Sequence, residues 1–252
     1  MRTIAVANQK GGVAKTTTVV NLAAEFSRKQ RVLVIDFDPQ RSATSSVFGN
    51  VEFENSVYDM LFNGVSSYEV IQTSADFGFD VIPSDIMLSS AELRLASVIG
   101  REKVLSHRLV DLKGAYELCF IDTPPTLGLL AVNALMAADE VLIPICPEYF
   151  SLKGVRLLEE TIESVRENLD AHLNLLGVLV TRNKKRTIIR SALEVIRDYF
   201  GEKLFTTMVA ENIRVEEAHN AHLPVFKYDS KCPAAVAYRK LAREIARRLS
   251  DA

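Results

Sequence analysis

The sequence contains no tryptophan, and its three cysteines are widely spaced. Cys119, Cys146 and Cys232 form no C-x-x-C pair, and no histidine cluster lies near them in the sequence. This spacing argues against a disulfide scaffold, a zinc site and an iron–sulfur cluster. It is typical of proteins from a reducing compartment, and we therefore expect a cytoplasmic protein.

The sequence also lacks export signals, long apolar runs and a large net charge. Its N-terminus enters a β-rich apolar run at once, and no apolar run approaches the roughly 18 residues of a membrane-spanning helix. We therefore expect no membrane partner. The formal net charge is −2 over 252 residues, so the overall charge does not indicate a nucleic-acid-binding protein. Any basic surface that binds nucleic acid must then be local.

Short apolar runs alternate with helical patterns along most of the chain. The predicted strands are Thr3–Ala7, Val32–Ile35, Phe79–Ile82, Leu118–Ile121, Val141–Ile145 and Leu175–Val180, and the predicted helices are Thr16–Arg28, Leu88–Val98, Leu127–Ala137, Leu152–Asn168, Thr187–Phe200 and Pro233–Leu249. The near-continuous apolar runs indicate strands that are buried on both faces, and the alternation indicates repeated βαβ units. The sequence therefore predicts an α/β fold with a doubly wound, mostly parallel sheet and helices on both faces. Because no linker rich in Pro, Gly or Ser interrupts it, residues 1–252 are predicted to form a single domain.

Residues 7–18, with the sequence ANQKGGVAKTTT, follow the first predicted strand and begin the first predicted helix. In the phosphate-binding loop G-x-x-x-x-G-K-[ST], backbone N–H groups hold phosphate, the lysine reaches the outer phosphates and the hydroxyl holds Mg²⁺. Lys15 and Thr16 stand at the last two positions, whereas Gln9 and Ala14 replace the two glycines. Because a helix N-terminus favours an anion, the loop predicts a nucleotide-binding site. The alternative is a glycine turn that precedes an ordinary helix.

Three carboxylates stand at the ends of predicted strands. Asp122 closes the apolar run LCFID, and Asp36 and Asp38 follow the second strand, on one side of it if the strand continues. The carboxyl ends of parallel strands border the ligand crevice of such folds. We therefore expect Asp122 and the Thr16 hydroxyl to hold Mg²⁺ and its water. The alternative for Asp122 is to cap the turn that follows it.

Basic residues are concentrated in one short segment, residues 181–190. They are Arg182, Lys184, Lys185, Arg186 and Arg190. The segment follows a predicted strand and runs into a predicted helix, so we expect it to be exposed. Such a cluster contacts the phosphates of DNA without reading its bases. The alternative is a solvated loop, which is what most charge runs are.

The loop, read as K-G-G-V-[GA]-K-T-T, resembles the deviant Walker A loop of the ParA/MinD class of P-loop ATPases. Further segments resemble the same class, in the same order, along nearly the whole chain. They are VLVIDFDPQ, IDTPPTLGLLAVNALMAADEVLIP, PEYFSLKGV, LGVLVTR and NIRVEEAHNAHLPV. Together they resemble the ParA/Soj branch, which partitions chromosomes and plasmids.

This resemblance implies ATP and Mg²⁺ as cofactors and assigns roles to particular residues. The implied nucleotide-binding residues are Lys10, Gly11, Gly12, Val13, Ala14, Lys15, Thr16, Thr17 and Asn212, and the implied metal-binding residues are Thr16, Asp38 and Asp122. The implied catalytic residues are Lys10, Lys15 and Asp38, and Asp36 supports Lys15 or the metal shell. Asp38 orients the attacking water, and Lys10 crosses to the phosphates of a partner subunit, as an arginine finger does. The alternative for Lys10 is to support its own loop or to lie in solvent.

The resemblance also implies a weak ATPase that acts as a switch on DNA. In the proteins that it resembles, ATP binding drives homodimer formation and the dimer binds double-stranded DNA without sequence preference. A ParB-type centromere-binding protein then stimulates hydrolysis and release, which places the cytoplasmic protein on the nucleoid. The implied DNA-binding residues are Arg182, Lys184, Lys185, Arg186, Arg190 and Arg214. The alternatives are a MinD-like membrane ATPase that positions division and a ParA-like ATPase that positions another cargo.

The chain departs from the usual family pattern at several positions. Ala14 replaces a glycine, and we expect a negative φ there because a methyl group is tolerated only in that conformation. Ala210 and Glu211 replace the more usual Pro-Arg pair, so a carboxylate lowers the positive charge near the basic residues. His219 and His222 replace part of a usual turn, and because they lack any partner pattern in the sequence we expect both to be surface residues.

The last predicted helix is basic and amphipathic. It places Tyr238, Leu241, Ile245 and Leu249 on one face. Because the helix has no Trp or Phe anchor and begins with a proline, which suits a first helical turn, we expect this face to pack in the core. The alternative is a helix that lies on a membrane surface.

Overall fold

The computed structural model describes residues 1–169, 171–183 and 187–251. The strands in this part of the chain are β1 (Arg2–Val6), β2 (Val32–Asp36), β3 (Gln72–Ser74), β4 (Phe79–Ile82), β5 (Leu118–Asp122), β6 (Glu140–Ile145) and β7 (Asn174–Val180). They form one sheet in the order β3-β4-β2-β5-β1-β6-β7. β3 is antiparallel to β4, and the other neighbouring pairs are parallel. The predicted α/β fold with a doubly wound, mostly parallel sheet is confirmed.

Helices connect these strands and cover both faces of the sheet. Those in the described residues are α1 (Lys15–Phe26), α2 (Ser42–Phe48), α3 (Val57–Phe62), α4 (Ala91–Ala96), α5 (Val104–Arg108), α6 (Leu129–Ala137), α7 (Leu152–Leu169), α8 (Thr187–Phe200), α9 (Ile213–Asn220), α10 (Val225–Tyr228) and α11 (Pro233–Ser250). The six predicted strands are all present, with small shifts at their ends. The predicted helix Leu88–Val98 is instead a 3₁₀ helix, Ile86–Ser90, that leads directly into α4. The sequence did not predict β3 or the short helices α2, α3, α5, α9 and α10.

The central strands are buried on both faces, as their continuous apolar runs predict. Along β2, Val32 and Val34 lie in a core that includes residues of α1 and α11. The alternate residues Leu33 and Ile35 lie in a second core, which includes residues of α3 to α6. Because successive side chains of a strand point to opposite faces, each apolar residue of β2 is used in one of the two cores.

The final helix, α11, packs against α1 and the sheet. Tyr238, Leu241 and Ile245 are buried in the core, and Leu249 is partly buried against it. The predicted core packing of this helix is therefore confirmed. No helix among the described residues is long and apolar enough to cross a membrane.

The sheet brings the ends of three strands together. β5 lies between β2 and β1, and the register pairs Asp122 with Asp36 on one side and with Val6 on the other. Because these strands are parallel, the segments that follow them leave from the same edge of the sheet. This edge holds the loop at residues 7–14, the carboxylates at and just after the end of β2, and the aspartate that ends β5.

Candidate nucleotide-binding site

The loop between β1 and α1 is held by hydrogen bonds to β6 and to α7. Asn8 donates from Nδ2 to the carbonyl of Pro144 at 2.8 Å and accepts the backbone N–H of Lys10 at 2.9 Å. Gln9 donates from Nε2 to the carbonyl of Gly154 in α7 at 2.7 Å. The residue that replaces the first glycine therefore ties the loop to α7.

Ala14 precedes α1 in the left-handed conformation, with φ 63° and ψ 36°. The expectation of a negative φ at this position is wrong. This left-handed residue at the helix N-cap turns the chain from the loop into α1. The methyl group of Ala14 therefore carries a cost of about 1–2 kcal/mol that glycine would not.

We predict that Ala14→Gly raises the free energy of unfolding by about 0.5–1 kcal/mol, because it relieves the left-handed strain and loses part of that gain to unfolded-chain entropy. Urea denaturation of the nucleotide-free protein measures this change. The control is Ala192→Gly within α8, which should lower the free energy by about 0.5–1 kcal/mol. Equal destabilisation by both substitutions would contradict the prediction.

The first turn of α1 carries the lysine and the hydroxyl of the phosphate-binding motif. Lys15 is buried, and its Nζ donates to the carbonyl of Lys10 at 3.4 Å. Burial lowers the pKa of Lys15, and the nearby carboxylates of Asp122 and Asp38 oppose this shift. The Thr16 hydroxyl donates to Oδ2 of Asp122 at 2.6 Å. The structure thus brings together the side chains of four predicted site residues, Lys15, Thr16, Asp38 and Asp122.

The carboxyl group of Asp122 has one oxygen without a partner. The side chain is fully buried, and Oδ1 accepts no hydrogen bond from the described residues. Burial raises the pKa of Asp122 to about 8, and the charge of Asp36 adds to this rise. A divalent cation at this oxygen would favour the ionised carboxylate.

A magnesium ion fits this donor set. Mg²⁺ takes oxygen ligands and is usually held by one or two protein groups together with phosphate oxygens and water. Thr16 and Asp122 supply a hydroxyl and a carboxylate oxygen. Among the described residues, no group of three or more His, Cys, Asp or Glu side chains could hold a metal ion.

The aspartate that ends β2, Asp36, and the one that follows it, Asp38, have different partners. Asp36 is fully buried, and its Oδ2 accepts both the backbone N–H and the hydroxyl of Thr44 in α2 at 2.7 Å. Burial raises the pKa of Asp36 to about 6. Asp38 is 8% exposed, and its Oδ1 accepts the backbone N–H of Gln40 at 2.9 Å. Asp36 therefore positions α2, whereas Asp38 lies close enough to Lys15 to act on its charge.

A cavity of about 200 Å³ opens beside the loop. Its lining residues come from the loop, α1, the segment after β7, the segment before α9, α9 itself, and α11. They are Gly12, Ala14, Thr17, Thr181, Arg182, Val209, Ala210, Glu211, Asn212, Val215, Glu216 and Tyr238. Asn212 caps α9, because its Oδ1 accepts the backbone N–H of Arg214 at 2.9 Å. Four of the predicted nucleotide-binding residues, Gly12, Ala14, Thr17 and Asn212, therefore share this cavity.

The predicted DNA-binding residues are found in different surroundings. Lys184, Lys185 and Arg186 lie outside the described residues. Arg190 is exposed on α8. Arg214 is paired with Glu217 at 2.7 Å and with Asp229 at 3.6 Å. Arg182 lies at the cavity beside the loop, and its Nη2 is 2.8 Å from Oε1 of Glu211.

Lys10 is exposed at the outer end of the loop. With Gln9 it borders an open cavity of about 280 Å³ whose remaining lining comes from α7 and the residue before it: Ser151, Lys153, Gly154 and Leu157. The lysine that distinguishes this loop from the standard motif thus stands apart from the cavity that contains Asn212. An exposed lysine in this place is available to another molecule.

Sequence reasoning missed several partners of the site. Thr44, which binds Asp36, and Ser84, whose Oγ donates to the carbonyl of Asp38 at 2.8 Å, belong to segments without a recognised motif. His219 and His222 are exposed, which confirms that they are surface residues, and Nδ1 of His219 lies 2.9 Å from Oγ of Ser46. The contacts of Ser84 with Asp38 and of His219 with Ser46 join residues 46 and 173 positions apart in the sequence, so no local pattern predicts them.

Comparisons with known proteins agree with this geometry. A family model described as AAA domain matches residues 1–175. The protein Soj of Bacillus subtilis, a sporulation initiation inhibitor, is 39% identical over 96% of this chain and 97% of its own length. The chromosome partitioning protein ParA of Caulobacter vibrioides is 37% identical over 100% of this chain and 96% of its own length.

A solved structure shows the same fold with ligands. Cobyrinic acid a,c-diamide synthase from Mycobacterium smegmatis, with a bound ATP analogue and magnesium, is 32% identical and superimposes with a TM-score of 0.87. The match covers 99% of this chain and 96% of that one. The enzyme's name describes another reaction on a shared fold, whereas the ParA relative of Caulobacter vibrioides is named for chromosome partitioning. The chain belongs to the AAA-domain family and, within it, to the ParA/Soj partition ATPases.

Proposed function

We propose that this protein is an ATP-driven switch for DNA partition. It binds Mg²⁺-ATP, pairs with a second copy, holds double-stranded DNA without sequence preference, and releases it after hydrolysis stimulated by a ParB-type partner. The observation that carries the proposal is the group formed by Lys15, Thr16 and Asp122 at the start of α1. The names of the full-length relatives support the biological role.

The phosphates of ATP would lie on the loop and the N-terminus of α1. Free backbone N–H groups and the positive end of a helix dipole favour an anion there, and Lys15 supplies a buried positive charge. Thr16 and the unpartnered Oδ1 of Asp122 would hold Mg²⁺. When bound, the metal neutralises charge that develops on the phosphate oxygens.

The two remaining carboxylates serve to position the water molecule that attacks ATP. Asp38 lies near Lys15. It does not hold a helix as Asp36 does, and the metal is assigned to Asp122, so Asp38 is the group we assign to the attacking water. Asp36, which binds Thr44 at the start of α2, fixes the backbone that carries Asp38. Hydrolysis of this type depends mainly on positioning and electrostatics.

DNA binding would use exposed cations on the surface beyond the nucleotide. Arg190 on α8 is exposed, and Lys184, Lys185 and Arg186 precede it in the sequence. Arg214 shares its charge with Glu217 and Asp229, so its contribution is expected to be smaller. Contacts to phosphate carry no sequence information, and the binding should therefore be non-specific and should place the protein on the nucleoid.

We predict that binding to arbitrary-sequence duplex DNA requires ATP rather than ADP and weakens steeply with salt. Because each lost phosphate contact lowers the salt slope by about 1, Arg190→Ala should flatten the dependence of log affinity on log salt. Fluorescence anisotropy of a labelled duplex across a salt series measures both effects. Arg197→Ala, which also alters an exposed arginine of α8, is the matched control and should retain the full slope.

Two results would redirect the proposal. Binding that is equal with ATP and ADP would contradict a nucleotide switch. If the protein binds DNA in no nucleotide state, the proposed ATPase activity still stands, but the protein would act on another cargo. The described structure does not favour a membrane cargo, because α11 buries its apolar face in the core.

A further inference from the structure

Arg182 follows β7 in a backbone conformation that few residues adopt. Its φ is 49°, so it is one of the described non-glycine residues in the left-handed region. The residue before it is anchored, because the Thr181 hydroxyl donates to the carbonyls of Val13 at 2.9 Å and Ile145 at 3.1 Å. Strain of this kind persists where surrounding contacts determine it, and it is frequent at ligand sites.

The guanidinium of Arg182 spans the cavity beside the loop. Nη1 donates to the carbonyl of Gly12 in the loop at 3.3 Å. Nη2 donates to Oε1 of Glu211, in the segment before α9, at 2.8 Å. Gly12, Arg182 and Glu211 all line the cavity, so the side chain of Arg182 forms a bridge between two of its walls.

Apolar side chains form another part of the cavity lining. Val209 and Tyr238 are 4% and 1% exposed, and Val215 is half-buried. A planar base between an apolar surface and a guanidinium gains stacking and cation–π contacts. Sites for small ligands combine an apolar lining with a few polar groups in this way.

We infer that Arg182, oriented by Glu211, covers the base and ribose of the bound nucleotide and slows its release. This inference rests on the proposed nucleotide site and adds a residue to it. The phosphates lie on the loop, and the adjoining cavity receives the nucleoside. Glu211 is a positioning residue, because its carboxylate fixes the plane of the guanidinium and does not itself need to touch the nucleotide.

The same arrangement removes Arg182 from the DNA-binding residues. Its guanidinium is directed at the loop carbonyl and is paired with a carboxylate that would repel a DNA phosphate. The side chains of Arg182 and Glu211 are both 36% exposed, and an ion pair this exposed adds little to stability. Variants of either residue should therefore fold, which makes the inference testable in the intact chain.

The test compares a ligand that has a base with one that does not. Isothermal titration calorimetry of the full chain measures affinity for Mg²⁺-ADP and for Mg²⁺-tripolyphosphate. Because stacking on one base changes affinity by about tenfold in typical cases, Arg182→Ala should weaken ADP binding about tenfold and leave tripolyphosphate binding unchanged. Glu211→Gln should weaken ADP binding by a smaller factor, and Arg182→Lys, which keeps the charge without the plane, should rescue it only in part.

Control variants distinguish this role of Arg182 from a role at the phosphates and from a role in DNA binding. Arg197→Ala should change neither affinity, and Arg182→Ala should retain wild-type DNA binding at saturating ATP. Equal loss of ADP and tripolyphosphate binding would overturn the inference, because Arg182 would then serve the phosphates. Loss of DNA binding with unchanged ADP affinity would return Arg182 to the DNA-binding surface. Failure of the wild-type chain to bind either ligand would instead contradict the proposed nucleotide site.

Discussion

Asp38→Ala is expected to reduce ATP turnover by about 10²- to 10⁴-fold, the usual contribution of a positioned proton-accepting group. ATP binding should change by no more than about threefold, since the metal and phosphate contacts assigned to Lys15, Thr16 and Asp122 remain. The reason is structural. Asp38 accepts one backbone N–H from Gln40 and keeps a second carboxylate oxygen for the site.

Asp36 provides the contrast to Asp38. Its Oδ2 accepts two hydrogen bonds from Thr44 and its Oδ1 accepts the N–H of Asp38. Because removal of a buried acceptor leaves its donors unsatisfied, Asp36→Ala should lower stability as well as turnover. The two aspartates, which sequence spacing places side by side, therefore have distinguishable consequences when each is removed.

Phosphate release and calorimetric titration with ATP measure the two effects of Asp38→Ala. Asp38→Asn is the second variant, because it preserves the shape of the side chain and removes its basicity. Asp76→Ala is the control, since Asp76 is 71% exposed and makes only a surface ion pair with Lys227. Unchanged phosphate release in both Asp38 variants would refute the assignment.

The sequence predicts the strands well because burial on both faces leaves an unbroken apolar signature. It fails for β3, a three-residue edge strand with the polar sequence QTS. It also fails for α2 and α3, which are only 7 and 6 residues long. Elements this short bury too few residues to show a period, and tertiary contacts such as the one between Asp36 and Thr44 stabilise them.

In the candidate site, too, some features could be predicted from the sequence and others could not. Residues of the loop and the strand ends were predictable, because parallel strands deliver their carboxyl ends to one edge of the sheet. The backbone conformation of Ala14 was not predictable, because an alanine at the N-cap does not indicate a left-handed turn. The direction of Arg182 was not predictable either. It depends on contacts with Gly12 and Glu211, which are 170 and 29 residues away in the sequence, and a basic segment by itself indicates only an exposed surface.

Lys10→Ala is expected to lower partner-stimulated ATP turnover by about 10³-fold, the lower end of the effect of an arginine finger. Lys10 is exposed, whereas Lys15 is buried behind it and donates to its carbonyl. We therefore assign Lys15 to the phosphates of its own subunit and expect Lys10 to reach those of a partner subunit. Lys153→Ala, which removes a neighbouring exposed lysine of α7, should stay within about twofold of the wild type and serves as the control.

A mixture of two inactive variants decides whether Lys10 acts across a dimer. Lys10→Ala protein retains Asp38, and Asp38→Ala protein retains Lys10. In a mixed dimer, one site then combines its own Asp38 with the partner's Lys10, while the other site lacks both. Since random pairing of equal amounts makes half the symmetric dimers mixed, about a quarter of the wild-type turnover should return. If Lys10 acts only within its own subunit, each site of every dimer lacks one of the two groups, and mixing restores nothing.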